Sequence, residues 1–351
     1  MTELPISVCI IAKNEEKYIE QCMRSVLQFG FEIVLCDTGS EDNTKEIAKK
    51  YTNKIYDFAW CADFSSARNF CAERATNNWI LVLDCDERIQ TIDTTALGKL
   101  IYQFPHSVGK LTIKNLLNKN DKDVDYDTDE IVRLYNKKEY LFVQPIHEQI
   151  QRKGTVNDAL LNCFDVPIEI IHYGYAISQE EMSVKQCRNL EILYRLTELE
   201  PSNAYAYFQI GQSHAILGNC EKAIAAYEKA LSMNNDTTKT YVQMLLVSLI
   251  RTYRSAGYFQ KAMAIADKYA LQCDTAKFIE AHAELLWSSG QHLKAMVLYM
   301  KATLMPDADL LGEGMLRCYA HLIEGYHEMG DIKMENIFRQ KFDECKNSQK
   351  N

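Results

Sequence analysis

Trp79-Ile80-Leu81-Val82-Leu83-Asp84-Cys85-Asp86-Glu87 is the stretch that decides the fold. The apolar residues between Trp79 and Asp84 predict a buried parallel strand. The strand ends on two carboxylates spaced as Asp-x-Asp, and the carboxyl end of such a strand is where an open α/β sheet binds its ligand. Two hard oxygen donors this close in sequence suit Mg²⁺ or Mn²⁺ carrying a diphosphate. An Asp-x-Asp in isolation is usually a solvated loop; the buried strand before it and the elements upstream reverse that weighting.

Working back toward the N-terminus, strand and helix patterns alternate. Strands are predicted at Ile6–Ala12, Phe31–Cys36 and Lys54–Phe58, with helices at Asn14–Gln28, Asp42–Lys50 and Ser65–Ala75. Repeated β-α units of this size imply a mostly parallel sheet with helices on both faces. Beyond Asp86 the pattern loosens. Lys110–Leu117 and Ile131–Val143 are predicted strands, separated by the polar stretch Asn118–Glu130. Asp121, Asp123, Asp125, Asp127 and Asp129 in that stretch imitate a calcium loop. Tyr126 stands where an EF-hand needs Gly, however, and Val132 where it needs Glu, so a flexible acidic loop is expected.

From about Met182 strand signals vanish and a helical period takes over. Gly218, Ala223, Tyr227 and Ala230 recur with identical gaps as Gly290, Ala295, Tyr299 and Ala302, and Gly257, Ala262 and Ala266 fit the same frame. Ala262 and Ala295 stand 33 residues apart. This resembles the tetratricopeptide repeat, whose period is about 34 residues. The small residues let paired helices approach closely, and the Tyr is expected to fill the gap against the next repeat. The expected architecture is an α/β domain at residues 1–180 followed by an all-α repeat domain at residues 181–345.

The chain has 351 residues, 47% hydrophobic and 25% charged, and a net charge of −9. Its length accommodates two cores. The negative charge argues against nucleic acid as the main partner. None of the 12 Cys forms a Cys-x-x-Cys pair, so zinc-type spacing is absent, and Cys9, Cys36 and Cys71 fall in apolar contexts that suit small buried hydrophobes. No signal peptide and no membrane-spanning run is read from the sequence, and a cytoplasmic location is expected.

The ends of the predicted strands carry Ala12-Lys13-Asn14-Glu15, then Asp37-Thr38-Gly39-Ser40-Glu41-Asp42-Asn43-Thr44. Ala67-Arg68-Asn69 and Asp84-Cys85-Asp86 follow. Four such motifs in this order resemble the family 2 glycosyltransferases of GT-A fold, over roughly the first half of the chain. The resemblance implies a UDP-sugar donor, a divalent cation (Mn²⁺ or Mg²⁺) and inversion at the anomeric carbon. It places Ala12, Lys13 and Glu15 along the uridine. Asp37 would accept the uracil imide N–H, or else cap the following helix, and Ser40 belongs to the same nucleotide loop. Asn14 and Glu15 could equally cap a helix. Arg68 would pair with the diphosphate or with Asp84. Asp84 would face the ribose and Asp86 the metal, with Cys85 contributing only backbone.

Downstream, Ile131-Val132-Arg133-Leu134-Tyr135, Phe142 and Ile146-His147-Glu148-Gln149 resemble the Arg-x-Tyr and His-Glu segments of a subgroup of that family. Glu148 is the candidate general base; the alternative is a carboxylate paired to Arg133 or Arg152. Arg133 and His147 fall on the acceptor or phosphate side. His172, two residues before Gly174, is the candidate second metal ligand; the alternative is a packed structural His.

The combination with helical repeats is similar to bacterial protein and peptide glycosyltransferases, including sublancin-type S-glycosyltransferases and flagellin-modifying enzymes. It implies a polypeptide acceptor, with lipopolysaccharide or cell-wall glycan assembly as the alternative. The repeats also leave a homodimer open. A non-catalytic adaptor with a degenerate nucleotide-binding domain is the reading of another class; Asp84, Asp86 and Glu148 argue against it.

Overall fold

The computed structural model describes residues 4–116, 126–155, 161–174 and 179–348. It divides into two compact units, Met1–Ser178 and Gln179–Asn351.

The first unit is α/β. Its elements are β1 (Ile6–Ala12), α1 (Ile19–Leu27), β2 (Glu32–Asp37), α2 (Thr44–Ala48), β3 (Ile55–Asp57), α3 (Phe64–Arg74) and β4 (Trp79–Leu83). They continue with β5 (Glu87–Ile92), α4 (Thr94–Gln103), β6 (Val108–Leu116), β7 (Tyr126–Asn136), β8 (Tyr140–Val143), β9 (Gln149–Arg152) and β10 (Cys163–His172). Eight strands form one mixed sheet in the order β3-β2-β1-β4-β7-β6-β10-β5, while β8 and β9 make a separate antiparallel ribbon. β1 pairs in parallel with both β2 and β4, Ala12 opposite Asp37 and Ile10 opposite Leu83. The chain therefore leaves β1 in one direction and returns to its other side at β4. The crevice at the carboxyl ends of these two strands is the topological switch point where open α/β sheets take ligands.

Burial explains the elements. Every residue of β4 and all but Ile11 of β1 are buried, as strands covered by helices on both faces must be. α1 turns Ile19, Cys22, Met23 and Val26 into the core. Asp63 opens α3 by accepting from the Ser66 N–H at 2.9 Å and from the Ser65 and Ser66 hydroxyls. Cys9, Cys36 and Cys71 are buried beside Val34, Ile80 and Val82.

Three expectations change. The helix predicted from Asn14 begins only at Ile19, because Asn14 adopts φ 57° and ties two loops together. The predicted strand 131–143 is two strands in two sheets, broken by the turn after Asn136. β7 also begins at Tyr126, within the expected acidic loop, and pairs there with β6, Asp129 opposite Ile113. Thr128, Asp129 and Glu130 are exposed on this segment, so charge costs the strand little. Asp121, Asp123 and Asp125 lie outside the described residues.

The second unit is helical: α5 (Gln179–Leu199), α6 (Ala204–Ile216), α7 (Cys220–Met233), α8 (Thr240–Ser255), α9 (Phe259–Tyr269), α10 (Ala276–Ser288), α11 (His292–Thr303), α12 (Glu313–Glu328) and α13 (Ile332–Ser348), with a short 3₁₀ turn at Ala308–Leu311. α6–α7, α8–α9, α10–α11 and α12–α13 are hairpins, and their turns carry Gly218, Gly257, Gly290 and Gly330 at φ 74°, 82°, 77° and 71°. Only Gly takes that left-handed conformation without a Cβ penalty.

Both repeat tyrosines pack within their own hairpin and against the next one. Tyr299 reaches the next hairpin, stacking on His321 with ring centroids 5.1 Å apart. Tyr227 lies over Gly211 of its own hairpin, donates to Gln212 Oε1 at 2.5 Å, and reaches Ser248 and Leu245 of the next hairpin. A Cβ on Gly211 would collide with that ring. Gly211→Ala is therefore expected to cost about 1–3 kcal/mol by overpacking, read as a fall in urea midpoint at unchanged slope. An unchanged midpoint would show that the Tyr227 ring can move aside.

Candidate functional site

Four strand ends build the site. At the end of β1, Ala12 accepts from the Thr38 N–H (2.9 Å) and the Thr38 hydroxyl (3.1 Å). The Asn14 N–H donates to Ser40 Oγ at 2.9 Å, and Asn14 Oδ1 accepts from the Glu41 N–H at 2.8 Å. The Glu15 N–H donates to Thr44 Oγ1 at 2.7 Å. These bonds lace the loops after β1 and β2 into one wall. Lys13 stands exposed on it.

Asp37 closes β2 and is only 2% exposed. Its Oδ2 accepts from the Gly39 and Ser40 N–H groups at 3.1 and 3.0 Å, so it folds its own loop and does not cap α2. Its Oδ1 is buried and has no hydrogen-bond partner. A buried carboxylate oxygen left in this state carries a desolvation cost of about 1–3 kcal/mol or more, and a ligand N–H would remove it.

β4 delivers Asp84 into a charge cluster. Arg68, on α3, donates through Nη2 to Asp84 Oδ1 at 2.9 Å and through Nε to Glu148 Oε1 at 2.6 Å. Arg133, on β7, donates through Nη2 to Asp84 Oδ2 at 2.9 Å and to Glu87 Oε1 at 3.1 Å. Glu87 Oε2 accepts the Asp84 N–H at 2.8 Å. Burial would raise the Asp84 pKa, but the guanidiniums of Arg133 and Arg68 outweigh it and hold the carboxyl well below its usual range. Burial pushes Glu87 up to about 7, opposed by Arg133 and reinforced by Asp84. Burial works against the Arg68 cation too, yet Asp84 and Glu148 more than restore it. Arg68 Nη1 and Arg133 Nε are buried donors without partners.

Arg68 thus pairs with Asp84 and also with Glu148. The pairings considered for Glu148 do not form: Arg133 goes to Asp84 and Glu87, and Arg152 lies 3.5 Å from Glu139. Asp84 has both oxygens engaged, though 34% of its side chain remains accessible toward a ligand. Cys85 turns away from the carboxylates, its Sγ on the Ile11 carbonyl at 3.4 Å between β1 and β4.

The fourth strand end is β10. His172 Nε2 lies 3.1 Å from Asp86 Oδ2, and its Nδ1 3.0 Å from Asn115 Oδ1. Asn115 in turn donates to Asp129 Oδ2 at 2.8 Å. Burial lowers the His172 pKa, and Asp86 reverses it to a net rise. The Tyr173 N–H holds the Asp86 carbonyl at 2.9 Å, and a Cβ on Gly174 would strike both Asp86 Oδ2 and His172 Nε2. Gly174 therefore keeps space open where these two side chains meet. His147 is exposed and adopts φ 53°, directly before Glu148.

Among the described residues no group of three or more His, Cys, Asp or Glu is placed to hold a metal. That donor set does not make an all-protein cage such as structural zinc requires. One carboxylate and one imidazole do fit a Mg²⁺- or Mn²⁺-type ion that takes its remaining ligands from diphosphate and water.

Sequence patterning assigns no site role to Glu87, Asn115 or Asp129. Glu87 directly follows Asp86, and its adjacency was the one available signal. The Asn115–Asp129 contact joins two strands and has no local signature.

Residues 7–148 match the family described as Glycosyl transferase family 2, and residues 204–237 match the Tetratricopeptide repeat. A TPR repeat-containing protein of Synechococcus elongatus is 29% identical over 218 residues, 59% of this chain and 51% of that protein. The SPbeta prophage-derived glycosyltransferase SunS of Bacillus subtilis is 28% identical over 240 residues, 66% of this chain and 54% of SunS. The lipopolysaccharide core biosynthesis glycosyltransferase LpsC of Rhizobium meliloti is 27% identical over 165 residues, 45% of this chain and 61% of LpsC. The chain thus spans about half the length of the first two relatives, 51% and 54%. No helix among the described residues is long and apolar enough to cross a membrane. The mixed sheet with its switch-point crevice, the helical hairpins and these matches agree: the N-terminal unit carries a glycosyl transferase family 2 domain, and the C-terminal unit is built of tetratricopeptide-like helical repeats.

Proposed function

We propose that the chain transfers a sugar from a UDP-sugar to a polypeptide side chain, with inversion and with a divalent cation bound. The observation that carries the donor assignment is the buried, unpartnered Oδ1 of Asp37 beside the switch point. A uracil imide N–H is a donor of the right kind for it. The partnerless Nη1 of Arg68 and Nε of Arg133 supply cationic donors for diphosphate oxygens, and Asp86 with His172 would hold the metal. When bound, the cation would neutralise charge developing on the departing UDP.

Glu148 takes the proton of the acceptor nucleophile as the new bond to the anomeric carbon forms and the bond to UDP breaks, from the opposite face. Arg68 fixes its orientation through Oε1. The helical hairpins supply a surface for an extended polypeptide. The likeness to LpsC favours a second reading, transfer to a glycan of lipopolysaccharide type. Mass spectrometry of polypeptide and glycan fractions from cells with and without the gene separates the two.

The donor assignment has its own test. UDP at about 100 times its dissociation constant should stabilise the protein by about 2.7 kcal/mol when Mn²⁺ or Mg²⁺ is present. With EDTA the stabilisation should largely vanish. Equal melting shifts with and without EDTA would remove the metal from the site, and no shift with any nucleotide would favour the adaptor reading.

A further inference from the structure

Across α8, α10 and α12, the first helices of three successive hairpins, lies a charge cluster that the transfer chemistry does not use. Glu280, on α10, has a fully buried side chain, 0% accessible. It accepts from Arg251 Nη2 at 2.7 Å and from Arg317 Nε and Nη2 at 3.1 and 2.7 Å. Glu284, one turn on, is bonded by Arg254 and lies 3.2 Å from Arg317 Nε. The carboxylates sit beneath and the guanidiniums above: Arg251, Arg254 and Arg317 remain 42%, 35% and 44% accessible. Three cations over two carboxylates leave one positive charge in excess, on a chain whose net charge is −9.

Burial lowers the Arg254 pKa, Glu280 opposes, and the cations of Arg251 and Arg317 lower it further. The Tyr299 hydroxyl, buried and without a partner, lies in the field of Glu280, Arg254 and Arg317.

We propose that Arg251, Arg254 and Arg317, held in place from below by Glu280 and Glu284, form a docking station for the acidic side chains of a polypeptide partner. Arginine presents a rigid fork of donors matched to carboxylate, and anchoring by a buried carboxylate removes much of the entropy cost of holding that fork. Arrays of helical hairpins bind extended peptides, and arginine clusters are a recurrent reader of acidic motifs. The excess of a single charge suits a short run of Asp or Glu. A long polyanion would meet repulsion from the rest of a negative chain. The partner would be the acceptor itself, so the inference rests on the polypeptide-acceptor reading and adds its chemistry: the segment bound by the repeats is acidic.

The test uses the full chain and a fluorescein-labelled peptide of alternating Glu and Ser, its Gln-for-Glu counterpart, and polyphosphate as competitor, followed by fluorescence anisotropy. The Glu peptide should bind about tenfold or more tightly than the Gln peptide and weaken with salt. Arg251→Gln and Arg254→Gln should each weaken it about tenfold, and Arg251→Lys, which keeps the charge but loses the fork, should fall between. Arg317 is left intact because both buried glutamates depend on it. If Arg254→Gln fails to melt cooperatively, Arg251→Gln still decides, since Glu280 keeps Arg317. Equal binding of the two peptides, no binding of the Glu peptide, wild-type affinity in Arg251→Gln, or polyphosphate outcompeting the peptide would each overturn the station. The UDP melting shift is read on the same protein: its absence with peptide binding intact removes the glycosyltransferase reading and leaves the station standing.

Discussion

Glu148→Gln is expected to lower sugar transfer by about 100- to 10,000-fold, the range a positioned general base contributes, while UDP with Mn²⁺ still stabilises the protein as in the wild type. The side chain holds Arg68 through Oε1 alone. Glutamine offers an oxygen in the same place, so the buried guanidinium keeps an acceptor, and Asp84 still balances its charge. What is lost is the capacity to take a proton, which is needed only as the new bond forms. Asp86→Asn should behave in the opposite way, losing the cation-dependent part of the UDP shift because it weakens one of the few protein donors at that end of the crevice. The rival role for Glu148 is to neutralise Arg68. Breaking a buried ion pair costs about 3–5 kcal/mol, so that role would show as a large fall in stability at a near-normal rate per folded molecule. A wild-type rate in Glu148→Gln, measured as UDP release with the sugar donor that stabilises the protein most, would move the base elsewhere.

The sequence discloses some of this arrangement and hides the rest, for identifiable reasons. β4 is legible because five buried residues in succession followed by Asp-x-Asp mark the end of a covered strand. The hairpins are legible because their contacts are local: a Gly at each turn and small residues at fixed distances repeat within one unit length. β5 is not legible, because Arg88, Gln90 and Thr91 interrupt its apolar pattern. Glu87 passes for a loop acid for the same reason, although it is 2% exposed and shares Arg133 with Asp84. The Arg68–Glu148 pair joins residues 80 apart in sequence, and only the seating of α3 beside β8 brings them together. Charge pairing across such a distance leaves no periodic trace. The acidic run before Ile131 misleads in another way: its charges suggest a loop, yet an exposed strand segment tolerates them.

Removing the repeats should abolish modification of the acceptor and spare donor binding. A chain ending at residue 178 retains Asp37, Arg68, Asp84, Asp86, Arg133, Glu148 and His172, and with them every proposed nucleotide, metal and proton-transfer group. Among the described residues its apolar cores are built from the first unit's own side chains: one packs Ile6, Val8, Met23, Leu81 and Ile170, the other Cys9, Val34, Ile80, Tyr135 and Phe142. Such a protein should melt cooperatively, respond to UDP with Mn²⁺, and hydrolyse the sugar donor slowly. It should nonetheless fail on the polypeptide, because binding energy gained far from the reacting atoms is what places the nucleophile over the anomeric carbon. Loss of that positioning can forfeit about 7–11 kcal/mol of the advantage of a bound, oriented reactant. The comparison is between full-length and truncated chains at equal UDP response, so that misfolding is excluded before transfer is scored. Modification at the full-length rate by a well-folded truncation would make the repeats an assembly module. It would also detach the acidic-peptide station from catalysis, since a partner could then dock on Arg251 and Arg254 without being the molecule that receives the sugar.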